Sequence, residues 1–135
     1  MPLKSNDTDG AVTRKRLESY VAAHEGVTEV AVADEASTLT AAQLLNSKLF
    51  TATPTAARTF TTATAAQIVA ALTDEVAGTS FEFTVINKAA ATHEITVAGG
   101  TSVTAGAGSL VVAAASSGTF LAVVQSDDSV KLYRK

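Results

Sequence analysis

The C-terminal half of the chain is a series of short β-type segments separated by turns rich in Gly and Ser. In order, the segments read FEFTVIN, HEITVAG, TSVTAGAG, SLVVAAA, GTFLAVVQ and VKLYRK. In the first of them Phe81, Phe83 and Val85 occupy alternate positions, which gives one strongly apolar face. Short strands that recur about every ten residues between such turns are typical of sandwiches and jelly rolls. We therefore predict a mainly β fold: an antiparallel β-sandwich or jelly-roll-like domain with one or two short helices and an N-terminal arm.

A four-residue word, Thr-Ala-Ala-Gln, occurs twice before pairs of branched aliphatic residues, as TAAQLL and TAAQIV. A Thr followed three residues later by Gln forms a capping box, because each side chain can hydrogen-bond the other residue's backbone N–H. Thr64 and Gln67 therefore predict a helix start before Ile68. At the first copy, Leu39 and Leu44 add the spacing of a hydrophobic staple, which predicts a second, shorter helix.

Two further segments, LFTATP and RTFTT, flank Pro54. Their β-branched and aromatic residues favour strands, whereas Pro is confined to strand edges and corners. We expect either an early strand pair or one interrupted edge strand.

The first 35 residues differ in composition, since they hold 11 of the 23 charged residues of the chain. We predict a charged arm over 1–35 and a β-rich domain over 36–135. Within the arm, Leu17, Tyr20, Val21 and His24 have helical spacing, which predicts a helix over 13–25 with Gly26 just beyond its end.

The charges of this predicted helix oppose its dipole, because a basic triplet stands in the first turn and Glu25 near the last. Such a helix is weak alone, so we expect it to dock on a partner or to be marginally ordered. The triplet, Arg14 to Arg16, is either a solvated helix end or a contact to an acidic protein surface.

The sequence contains few residues of the types that serve in catalysis or metal binding. With no Cys and two His, the sequence disfavours thiol nucleophiles, thiolate-bound zinc and other transition-metal sites. SNDTDG resembles the start of a calcium loop, but Arg16 stands where the bidentate Glu belongs. GGTSVTAGAG lacks the Lys of a phosphate-binding loop, and His93 beside Glu94 is predicted to be an exposed turn residue. We expect no catalytic residue, no cofactor and no metal.

Bulk composition narrows the class of partner. A net charge of −3 does not suggest nucleic-acid binding, and no apolar run approaches the roughly 20 residues that span a bilayer. The N-terminus has no apolar core of a secretion signal, so we expect a soluble protein made in a cytoplasm. Charged residues are only 17% and apolar residues 47%, so exposed apolar surface and an oligomer are expected.

From Leu39 onward the order of features resembles a family of small structural proteins of tailed bacteriophages, the capsid decoration (cement) and head-fibre proteins. The resemblance rests on these segments: TLTAAQLL, TPTAART, TAAQIVAAL, GTSFEFTVIN, ITVAGGTSV and SSGTF. It implies a β-rich body that commonly trimerises on the outside of a virion, with no catalytic residues to carry over.

On that resemblance we expect a capsid decoration protein that binds the outside of a phage head and stabilises the shell. Its partners would be the major capsid protein and further copies of itself, as a homotrimer, with neither nucleic acid nor membrane. The candidates for capsid contact lie in the arm: Arg14, Lys15, Arg16, Leu17, Tyr20 and Val21. The alternative is a head- or tail-fibre knob for host-surface attachment, and a small hydrolase is a third hypothesis.

Overall fold

The computed structural model describes residues 26–72 and 77–135. The predicted helix over 13–25 and the six capsid-contact candidates therefore lie outside the described residues. Within the predicted arm, Thr28–Ala31 forms a strand of the larger sheet. This part of the arm is consequently built into the β-rich body.

The described residues form two sheets with a few short helical segments. The six-stranded sheet has the order β1-β3-β5-β9-β10-β7, and the four-stranded sheet has the order β2-β4-β6-β8. The strands are β1 (Thr28–Ala31), β2 (Ser37–Leu39), β3 (Lys48–Ala52), β4 (Arg58–Thr62), β5 (Ser80–Asn87), β6 (Ile95–Ala98), β7 (Val103–Ala105), β8 (Val111–Val112), β9 (Ser116–Ser126) and β10 (Ser129–Arg134). The predicted mainly β sandwich with short helices is confirmed.

Strand direction differs in one respect from the prediction, because the sheets are mixed rather than antiparallel throughout. Strands β1, β3 and β5 run parallel to one another, as do β2, β4 and β6. From β1 to β9 the chain passes to the opposite sheet after each strand. Two strands that are neighbours in the first part of each sheet are therefore joined by a connection that crosses to the other sheet and back. As a result, the two strands run in the same direction. The antiparallel pairs, β5–β9, β9–β10 and β6–β8, involve the later strands.

The two segments around Pro54 form neither an early strand pair nor one interrupted edge strand, so that prediction is wrong. LFTATP contributes β3 to the larger sheet and RTFTT contributes β4 to the smaller one, each with a neighbour on both sides. Pro54 is buried in the corner between them. Its missing N–H costs no ladder bond there, because the chain is leaving one sheet for the other.

Both predicted capping boxes are present. At the start of α1 (Ala65–Ala71), the Gln67 N–H donates to Thr64 Oγ1 over 3.1 Å, and the Thr64 N–H donates to Gln67 Oε1 over 3.0 Å. The same reciprocal pair joins Thr40 and Gln43 at 3.2 and 3.0 Å. The first helical segment is short as predicted: it continues as a π-helical turn over Gln43–Ser47, which ends at Lys48 in the left-handed region.

The core lies between the sheets and is built on aromatic rings. Phe83 stacks on Phe120 at 5.4 Å between ring centroids and meets the edge of Phe50 at 6.0 Å. Leu39 and Leu44, the predicted staple, are both buried in this core. Both helical segments therefore pack buried side chains against the core of the sandwich.

Candidate interaction surfaces

The buried amide of Asn87 joins the two sheets. Its Nδ2 donates to the carbonyl of Val112 at 3.1 Å and to that of His93 at 2.7 Å, while its Oδ1 accepts from the Ala89 N–H at 3.0 Å. Asn87 lies at the end of β5 and Val112 in β8, so the contact crosses the core. Sequence reasoning missed this residue, although Asn87 continues the inward alternation of Phe83 and Val85 and could have been recognised by that position.

Arg134 joins β10 to the segment that leads into β8, and sequence reasoning also missed this residue. Its guanidinium donates to the carbonyls of Ser109 and Val111, at 3.0 and 2.8 Å, and lies 5.4 Å from the Phe120 ring centroid. A Cβ on Gly118 would come within 2.8 Å of the Arg134 Cζ. The glycine of SSGTF therefore leaves room for this guanidinium, and both residues have structural roles.

A carboxylate of the predicted arm is fixed to the body. Arg58 Nε donates to Asp34 Oδ1 at 2.7 Å, and the Thr55 hydroxyl donates to Oδ2 at 2.5 Å. These hydrogen bonds, with Arg58 the larger influence, hold the Asp34 pKa well below its usual range. The cluster joins the segment between β1 and β2 to the start of β4.

The other titratable residues singled out in the sequence do not converge. His93 is half-buried just before β6, which corrects the predicted exposed turn residue in part, and its neighbour Glu94 is exposed. Asp127 and Asp128 form the turn between β9 and β10. Among residues 26–72 and 77–135, no group of three or more potential metal ligands occurs. Within the same ranges, no helix has the length and apolar character needed to cross a bilayer.

The outward face of the smaller sheet carries small uncharged side chains, many of them Thr. We call this surface the threonine face; it consists of Thr38, Thr59, Thr61, Thr96, Ala98 and Val111. Register places these residues side by side, with Thr38 beside Thr61, Thr61 beside Ala98, and Thr59 beside Thr96. Short β-branched side chains on adjacent strands give a surface with little relief.

The outward face of the larger sheet is more apolar. We call it the apolar face; it consists of Leu49, Thr84, Ile86, Thr119, Leu121, Val123 and Tyr133, all of which are half-buried. These side chains point away from the core cluster that their neighbours along each strand form. Leu49 pairs with Thr84, Thr84 with Thr119, and Leu121 with Tyr133, so the surface is continuous from β3 to β10.

A depression of about 430 Å³ lies at one end of the apolar face, among residues of β3 and β5 and the segment before β1. Val27, at its rim, is 61% exposed. Glu82, also at the rim, forms an ion pair with Lys135 at 2.6 Å. The chain therefore enters the described structure beside an open apolar surface.

Comparisons with known proteins give no family assignment: no protein-family model, no curated protein and no solved structure matches this chain.

Proposed function

We propose that this chain is a capsid decoration protein, which binds the outside of a bacteriophage head as a homotrimer and stabilises the shell. The observation that supports this function best is the threonine face, a flat and uncharged surface on a two-sheet sandwich. The phage-like segments agree with such a role, because their residues cap helices, fill the core or form turns. The protein is thus proposed to act through its surfaces rather than through a reaction.

The threonine face suits contact with a second protein surface for a physical reason. Thr and Ala side chains lose little rotamer entropy when they are immobilised, and they permit two backbones to approach closely. A shell-binding protein stabilises its target by adding buried area across subunit boundaries, which a flat face provides without a pocket. We propose that the threonine face is the part of the β-rich body that contacts either another subunit or the shell.

The predicted arm helix supplies the second proposed contact. Arg14, Lys15 and Arg16 offer cations to an acidic protein surface, and Leu17, Tyr20 and Val21 offer an apolar stripe. Aromatic and Arg side chains are enriched among residues that dominate binding energy. We propose that the arm grips the shell while the body packs beside it.

The test is to rebind purified protein to phage heads from which it has been stripped, and to measure its mass in solution by sedimentation. Thr59→Lys combined with Thr38→Lys places two charges on the threonine face and should abolish rebinding or dissociate the trimer. The matched control is Thr104→Lys, an exposed Thr on β7 of the other sheet, which should leave both properties unchanged.

The same experiment defines the results that would contradict the proposed function. A monomeric protein that does not bind stripped heads would overturn the proposal. Specific binding to host cells instead would favour the fibre-knob alternative. Rebinding by the Thr59→Lys, Thr38→Lys variant at the unmodified level would remove the threonine face from the interface.

A further inference from the structure

We propose that, in the free protein, residues 13–25 pack as a helix across the apolar face of the same chain. The occupant is thus the chain's own N-terminal segment, held by apolar contacts. This arrangement does not depend on the proposed function, because it concerns the isolated molecule.

The segment enters the described structure beside the apolar face. Residue 25 is followed by Gly26 and by Val27, which lies at the rim of the depression on the apolar face. Glycine permits a sharp reversal of the chain after a helix. A helix that ends at residue 25 can therefore turn back over the apolar face without a long linker.

The predicted helix and the apolar face have matching apolar surfaces. The predicted helix places Leu17, Tyr20 and Val21 on one side, and such a stripe is stabilised only when it packs against another apolar surface. The apolar face supplies one, since Leu49, Ile86, Leu121, Val123 and Tyr133 are half-buried and do not belong to the core cluster.

The segment also has the length that is needed to cross the apolar face. A helix of 13 residues is about 20 Å long at 1.5 Å per residue. Four steps separate β1 from β10 in the larger sheet, which is about 19 Å at roughly 4.8 Å between strands. The segment is therefore long enough to cross the apolar face from its point of entry to the far side.

The docked state has a consequence for assembly that does rest on the proposed function. If the arm grips a shell, it must first leave the apolar face, so shell contact and intrachain docking compete for residues 14–21.

Paired cysteines test the docking directly, because the chain contains no Cys of its own. The proposal places Tyr20 about two strand spacings from the point of entry, near Thr84 on β5. In the full chain, Tyr20→Cys with Thr84→Cys should form an intrachain disulfide under mild oxidation at low protein concentration. The control pair, Tyr20→Cys with Thr59→Cys on the threonine face, should not form one.

Other cross-linking outcomes overturn the proposal. Equal yields from the two pairs would show an arm without a preferred site, and no disulfide in the first pair would show an arm held elsewhere. A disulfide between chains in the first pair would assign the apolar face to the arm of a second copy.

A second measurement keeps the test independent of cysteine chemistry. Leu17→Asp with Val21→Asp disrupts the apolar stripe, whereas Ser19→Asp changes the opposite side of the same predicted helix. Amide NMR shifts of Leu49, Thr84 and Leu121 should change in the first variant and stay nearly unchanged in the second. Shifts on the threonine face should not move in either variant; identical spectra for the two variants would contradict the docking.

Discussion

The amide of Asn87 donates to the main-chain carbonyl of Val112 across the core of the sandwich, at 3.1 Å. The same Nδ2 also donates to the His93 carbonyl, so one side chain fixes the end of β5 against the segment before β6 and against β8. Buried polar groups cost free energy unless they are paired, and here each polar atom of the amide has a partner within the protein.

Replacing Asn87 by Ala should therefore destabilise the fold by about 3 kcal/mol, because the carbonyls of His93 and Val112 lose a donor within the core. Urea denaturation at one fixed protein concentration measures this free energy of unfolding. Asn46→Ala, at an exposed position of the π-helical turn, is the control and should change stability by less than about 0.5 kcal/mol. Equal effects at the two positions would contradict the role given to Asn87.

Gly118 and Arg134 should prove energetically coupled. Gly118→Ala inserts a methyl group within 2.8 Å of the guanidinium carbon and displaces it from the carbonyls of Ser109 and Val111. We expect a loss of about 1–2 kcal/mol in the free energy of unfolding. In an Arg134→Ala background the same glycine substitution should cost much less, because no guanidinium remains to be displaced. Additive losses in this double-mutant cycle would show that the two residues act separately.

The ion pair of Asp34 predicts the direction in which the free energy of unfolding changes with pH. Its pKa is lowered in the folded protein by Arg58 and by Thr55, whereas the pKa of an unfolded Asp is about 3.9. The pair therefore contributes stability that is fully present above the unfolded pKa and is lost as the pH falls through the folded one. The stability difference between the unmodified protein and Asp34→Asn should accordingly shrink as the pH is lowered from 6 towards 2.

Arg58→Gln provides the control for this titration, since it removes the main cause of the lowered pKa. In that background, Asp34→Asn should have a smaller effect, and its pH dependence should be weaker. An unchanged pH dependence would show that Arg58 is not the main cause of the lowered Asp34 pKa.

The capping box of α1 should contribute a measurable part of the stability. Thr64→Ala removes the acceptor of the Gln67 N–H and should cost about 1 kcal/mol, whereas Thr64→Ser keeps the hydroxyl and should cost less. Thr40→Ala should show a similar loss at the first box. Thermal unfolding followed by circular dichroism compares the three variants, and equal losses for Thr64→Ala and Thr64→Ser would exclude capping as the cause.

Much of the secondary structure could be predicted because its causes are local. The Thr64–Gln67 box closes within four residues, and the alternation of Phe81, Phe83 and Val85 identifies the inward side of β5 without reference to any other strand. Whether the apolar stripe of the arm meets a shell or the apolar face stays a prediction.

The sequence alone determined where the two capped helical segments begin and which side of β5 faces the core, since hydrophobic period and capping act over a few residues. Only the tertiary structure decided that β3 and β4 belong to different sheets, that Asn87 reaches Val112, and that Arg134 needs Gly118. These relationships join residues far apart in the chain. Strand partners in a sheet and acceptors for a buried amide follow from how the chain crosses the sandwich, which no short stretch of sequence specifies.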